Sequence, residues 1–98
     1  MTHDEIIAKI RANAPALKAK GVTKLAIFGS RARGDAREDS DLDVLIDVDD
    51  NARFSLLNLI GVERIIKTAT GLPTQAEMRR SLEPRFAKRI ADDLIEVF

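Results

Sequence analysis

The sequence predicts an α+β domain: one small mixed β-sheet with helices packed on it. Three observations lead there. Two short stretches, Val22–Phe28 and Asp41–Val48, are rich in β-branched and apolar residues and contain no glycine or proline. Longer stretches repeat apolar residues at helical spacing. The two kinds alternate along 98 residues, a length that suits a single domain, residues 1–98, and not two.

The first helix is expected over "THDEIIAKIRANAPALKAKG". Thr2 and Glu5 match a capping box, and Ile6, Ile7, Ile10 and Ala14 share one face. Pro15 kinks or divides the helix, because it lacks an N–H and clashes with the preceding turn, and Gly21 ends it. "VTKLAIF" reads as a buried strand. Gly29 and Ser30 then turn the chain sharply, and "RARG" forms a short helical turn. In the second strand, Leu42, Val44, Ile46 and Val48 face one side, and Asp41, Asp43, Leu45 and Asp47 the other. A turn is expected at "DDNAR", residues 49–53. From Phe54 to Thr70 the 3.6 period runs through Leu56, Leu57, Ile60, Arg64, Ile65 and Ala69, and Gly71 caps it. "LPTQAEM" is the third strand. Ser81 and Pro84 open a last helix, "PRFAKRIADDL", and "IEVF" ends the chain as a short edge strand.

Composition narrows the function. Lysine plus arginine equals aspartate plus glutamate at 16 each, so no direct nucleic-acid binding is expected; a general binder carries a basic excess. The charge is segregated all the same. Asp35–Asp50 holds eight acidic residues against Arg37, and Arg79–Arg89 holds five basic residues against Glu83. The absence of cysteine excludes disulfides and thiolate metal sites and fits a reducing, cytoplasmic setting. No apolar run approaches the ~18 residues of a membrane span, and the N-terminus has no signal-peptide core, so no membrane association is expected. A chain this short has a thin stability margin, which a stable partner would widen.

The chemistry concentrates in "GSRARGDAREDSDLD", Gly29–Asp43. Asp41 and Asp43 stand at i and i+2 on a strand, so both carboxylates project from one face, about 6.5–7 Å apart at the backbone. Such a pair can converge on a hard cation such as Mg²⁺, which takes oxygen ligands and keeps room for substrate phosphates. Gly29 lets backbone approach a ligand closely, and Ser30 adds a hydroxyl beside free N–H groups that favour anions. A phosphate turn on one strand end thus faces a metal-binding pair on the next. Arg31 and Arg33 can contact phosphates, a protein partner or the neighbouring acids. The basic stretch at Arg79, Arg80, Arg85, Lys88 and Arg89 reads as a solvated helix side or as a surface for an acidic partner or a triphosphate.

"FGSRARGDAREDSDLDVLI" resembles the signature of the minimal nucleotidyltransferases, small members of the DNA polymerase beta-type nucleotidyltransferase superfamily. The pattern is Gly-Ser, ten residues, then Asp-x-Asp; Gly29, Ser30, Ala32, Arg33, Gly34, Ser40, Asp41 and Asp43 all match it. The resemblance implies that fold. It implies ATP as substrate with Mg²⁺, two ions, as cofactor. It assigns Gly29, Ser30, Arg31 and Ser40 to nucleotide binding, and Asp41 and Asp43 to the metals and to catalysis. It also implies an antitoxin that forms a hetero-oligomer with a HEPN-type RNase toxin and transfers AMP to a tyrosine hydroxyl of that partner.

One departure stands out. In the family a third carboxylate lies on the strand after the long helix, in a stretch like G-R-P-V-D-L-V. This chain reads "GLPTQAE", and aligning Pro73 places Gln75 at that position. Glutamine is neutral and cannot act as a base. Glu77 shares the face of Gln75 one pleat along, and reaching the same point requires a slip or bulge of the strand. Three functions therefore follow from the sequence. The chain is an active protein adenylyltransferase, a degenerate nucleotidyltransferase that neutralises its toxin by occlusion, or a nucleotidyltransferase acting on a small hydroxyl compound.

Overall fold

The computed structural model describes residues 1–51 and 53–98; within the expected turn at 49–53, Ala52 lies outside the described residues. Helix α1 (His3–Ala12) opens on the expected capping box, with the Thr2 side chain accepting from Glu5 N and Glu5 reaching back to Thr2 N. Asn13 separates it from α2 (Ala14–Ala19), which holds Pro15 in its first turn, where a missing N–H costs little. Strand β1 (Val22–Phe28) leads into the short helix α3 (Ser30–Arg33), and β2 (Leu42–Val48) follows. Then come α4 (Leu56–Thr70), β3 (Thr74–Met78), α5 (Pro84–Ile90) and β4 (Ile95–Glu96).

The strands form one mixed sheet in the order β3-β2-β1-β4. β1 runs antiparallel to both β2 and β4, and β2 runs parallel to β3. The parallel pair exists because α4 carries the chain back along the sheet. One face of β2, through Leu42, Val44, Ile46 and Val48, joins Leu25 and Ile27 in the main core. Ile6 and Ile10 from α1, Leu17 from α2, and Val62 and Ile66 from α4 close it. On the opposite face Leu45 packs with Phe28 and Ile90 in a smaller cluster, edged by Leu82, Phe86 and Leu94.

Three details differ from the sequence expectation. α4 starts at Leu56, capped by Ser55, and its buried residues are Val62, Ile66 and Thr70. Leu56, Leu57 and Ile60 instead face solvent, at 71%, 80% and 42% exposure. The helix is apolar on more than one side, so spacing alone does not single out the stripe that meets the sheet. The last α-helix is capped by Glu83 and stops at Ile90; Ala91–Asp93 tightens into a 3₁₀ turn. Asp92 and Asp93 sit where the negative end of the helix dipole disfavours acids. At the sheet's β3 edge, the Glu63 side chain of α4 accepts a hydrogen bond from Ala76 N at 2.8 Å.

Candidate active site

The site forms where β1 ends, β2 begins and β3 begins. Phe28, the last residue of β1, lies opposite Asp43, and Asp43 lies opposite Gln75 on β3. Gly29 then turns the chain at φ 75, ψ −159, and Gly34 leaves α3 in the left-handed region at φ 85. Gly29 is required for a second reason. A Cβ there would lie 2.5 Å from Asp43 Oδ2, so the carboxylate fills the space a side chain would take. The Gly-Ser turn and the second aspartate are thus fitted against each other.

Asp41 stands just before β2 and is exposed, whereas Asp43 is half-buried. Burial pushes the Asp43 carboxyl above its ordinary pKa; Asp41 and Glu77 push it the same way, and Arg33 pulls it down. The Gln75 amide nitrogen donates to Asp41 Oδ2 at 3.4 Å. Gly29, Asp43, Gln75 and Glu77 line one cleft of about 450 Å³, together with Phe86 and Arg89. The β2–β3 ladder runs without a slip: Asp43 faces Gln75, and Leu45 faces Glu77. Glu77 therefore enters the same cleft one pleat further on. Among the described residues no three His, Cys, Asp or Glu side chains converge as a metal site.

Arg31 and Ser40 are engaged elsewhere. Arg31 is 7% exposed, and its guanidinium donates to the backbone carbonyls of Glu38 and Ser40, at 3.1 and 2.9 Å through Nη2. The Ser40 hydroxyl accepts from Arg37 N at 2.9 Å. Together they fold the loop that delivers Asp41. A roomier cleft of about 670 Å³ beside the start of α1 is also lined by Arg31, but by none of the candidate carboxylates. Its size does not place chemistry there. Arg33 is exposed and bonds Asp35 at 3.1 Å and Asp93 at 2.8 Å, bonds that raise its pKa, Asp35 first. Asp47 is paired with Arg79 at 2.8 Å.

The sequence reading missed two contributors. Asp93 ties the C-terminal turn to α3 through Arg33, across 60 residues of sequence. Phe86 walls the cleft and meets Phe28 edge-on, with ring centroids 6.0 Å apart. Neither carries a local signal; both depend on how α5 folds back over the sheet.

Comparison with known proteins places the fold. The nucleotidyltransferase domain family matches residues 7–97. A protein adenylyltransferase, MntA, from Thermococcus cleftensis is 34% identical over 98 residues, covering 99% of this chain and 97% of that protein. A solved structure described as a minimal nucleotidyltransferase superposes with a TM-score of 0.80 at 28% identity, covering 97% of this chain and 95% of the other. A chain of a solved complex of a tri-AMPylated Shewanella oneidensis HEPN toxin with an MNT antitoxin superposes with a TM-score of 0.64 at 10% identity, covering 90% of this chain and 68% of the other, a likeness of fold. With its sheet order, its Gly-Ser turn and its paired aspartates, this chain belongs to the nucleotidyltransferase domain family and has the minimal nucleotidyltransferase fold.

Proposed function

We propose that this chain, as a single minimal domain, is a Mg²⁺-dependent nucleotidyltransferase of antitoxin type. It transfers AMP from ATP to a hydroxyl, a tyrosine, on a partner HEPN-type toxin. The observation that carries the reading is the fit of the Asp43 carboxylate over Gly29, which joins the phosphate turn and a metal-ligand position in one cleft. The name of the Thermococcus relative supports protein adenylylation, and the HEPN complex of the fold relative supports the partner.

The donors suit a hard cation. Asp43 is half-buried, and its charge is opposed by Asp41 and Glu77, so a bound cation relieves a repulsion already present. Asp41 and Asp43 would hold Mg²⁺. When bound, it would neutralise phosphate charge and bridge the triphosphate to the protein. Gly29 and Ser30 hold the phosphates by close backbone approach and the Ser30 hydroxyl. Arg31 and Ser40 serve the nucleotide indirectly, by fixing the loop before Asp41. Transfer forms a bond from the acceptor oxygen to the α-phosphorus and releases pyrophosphate. Gln75 cannot take the acceptor's proton, and Glu77, one pleat further along a ladder without a slip, lies beyond that position, so the proton leaves to water.

The second reading, a binding antitoxin that occludes the toxin, also has an observation behind it. Gln75 occupies the ladder position opposite Asp43, where the third carboxylate is expected. The exposed Leu56, Leu57 and Ile60 offer that reading an apolar contact surface. Incubating the chain with labelled ATP, Mg²⁺ and the folded partner separates the two. Labelled partner, lost with Asp43→Asn, supports transfer. Neutralisation that survives Asp43→Asn without any labelling supports occlusion and refutes transfer.

A further inference from the structure

Arg89 is a cation left over by the cleft's own charge pairing. The cleft wall carries two arginines, Arg33 and Arg89. Arg33 is committed to Asp35 and Asp93. Arg89 is in no ion pair among the described residues, although the carboxylates of Asp43 and Glu77 line the same cleft. Its guanidinium lies over the Phe86 ring, 5.7 Å from the centroid. A cation–π contact uses none of the guanidinium's N–H donors as hydrogen bonds, and none of them has a side-chain hydrogen-bond partner among the described residues.

The ring beneath it is itself held. Phe86 meets Phe28 edge to face at 80°, and Phe28 is the residue before Gly29 and opposite Asp43. Two aromatic contacts therefore tie Arg89 to the turn that begins the site.

We propose that Arg89 is a phosphate receptor of this cleft, binding the β- and γ-phosphates of the nucleoside triphosphate and then the pyrophosphate that leaves. A guanidinium edge matches phosphate oxygens through two parallel N–H bonds. It lines the same cleft as Gly29 and the Asp43 carboxylate, so one triphosphate can meet both. The inference rests on the nucleotide reading above, and it deepens that reading with a residue outside the Gly-Ser and Asp-x-Asp motif.

The test is calorimetric binding of Mg²⁺ with α,β-methylene-ATP, AMP or pyrophosphate to the whole chain and to Arg89→Gln, Arg89→Lys and Phe86→Leu. Arg89 is exposed, so the Gln and Lys variants keep the fold, which circular dichroism checks. Arg89→Gln should weaken the triphosphate analogue and pyrophosphate by about 10–100-fold, the range for a hydrogen-bonded charge. AMP should change less than about twofold, because it lacks the phosphates that Arg89 holds. Arg89→Lys should recover part of the loss, and Phe86→Leu should lose about 2–5-fold through the missing ring face. Triphosphate affinity within twofold of wild type in Arg89→Gln, or an equal loss for AMP, overturns the assignment. An Arg89→Gln chain that keeps nucleotide but loses partner binding also overturns it, since the cation would then serve an acidic protein surface. If wild type itself binds no triphosphate, the nucleotide reading fails first and takes this inference with it.

Discussion

Leu45 and Ile46 are neighbours on β2, each at most 1% exposed, yet they belong to different faces and different environments. Ile46 enters the main core, closed by three helices. Leu45 enters a small cluster with Phe28 and Ile90, at the base of the cleft that holds Asp43. The first face is saturated with aliphatic packing and contributes stability. The second is covered only in part by α5, and the uncovered part exposes carboxylates. The difference shows how a chain of 98 residues can host a polar cleft at all. Its stability is concentrated on one side of the sheet, and the other side is left free to carry charge.

The largest effect should come from the closed face. Ile46→Ala removes buried methyl groups where helices on the far side prevent collapse, and should cost about 3–4 kcal/mol by urea denaturation. Leu45→Ala should cost less, about 2–3 kcal/mol, because its neighbours border an open cleft and can relax. Equal costs would break the distinction between the faces.

Next is Asp43→Asn, which should lower adenylyl transfer by about 100-fold or more, read as partner labelling. Its effect on stability should have the opposite sign. The folded pKa of Asp43 is raised, so the folded state binds the proton more tightly than the unfolded chain. Stability therefore falls as pH rises from the ordinary carboxylate value through the raised one. Asn removes that fall and should raise neutral-pH stability by roughly 0.5 kcal/mol, the scale of a solvent-screened charge. A melting temperature that drops instead would mean that Asp43 stabilises the fold.

Gly29→Ala should cost about 1–2 kcal/mol, through the positive φ and the collision with Asp43 Oδ2, and should depress transfer as well. A paired Gly29→Ala, Asp43→Ala chain that recovered no stability would show that φ alone carries the cost. The smallest change expected is a gain: Gln75→Asp should raise transfer about tenfold by restoring a carboxylate opposite Asp43, measured at saturating ATP. No gain would indicate that proton removal does not limit the reaction or that the site no longer turns over.

Much of this layout was readable in advance because it depends on local rules. The Thr2–Glu5 box, Pro15, Gly21, Gly71 and the period-2 pattern of β2 act within a few residues of themselves. The Gly29-to-Asp43 spacing was readable for the same reason, since one turn and one strand end define it. The alignment of Pro73 puts Gln75 where the ladder has it, opposite Asp43. The rest was set by tertiary docking. Which stripe of α4 is buried depends on how the helix lies on the sheet. Arg31 looked like a phosphate ligand from its place beside Ser30, but its guanidinium is spent on loop carbonyls. Phe86 and Asp93 reach the site only because α5 and the turn after it return to α3 and β1.

The bond from Ala76 N to Glu63 bears on how anything can approach this molecule. β3 is an edge strand, and an edge ordinarily invites an extended peptide to add itself to the sheet. Here a carboxylate already occupies the central N–H of that edge, directly beside the strand that carries Gln75 and Glu77. The opposite edge, β4, spans only Ile95–Glu96. The polypeptide acceptor proposed above is thus expected to enter side chain first, from a loop or a helix, more readily than by lengthening the sheet.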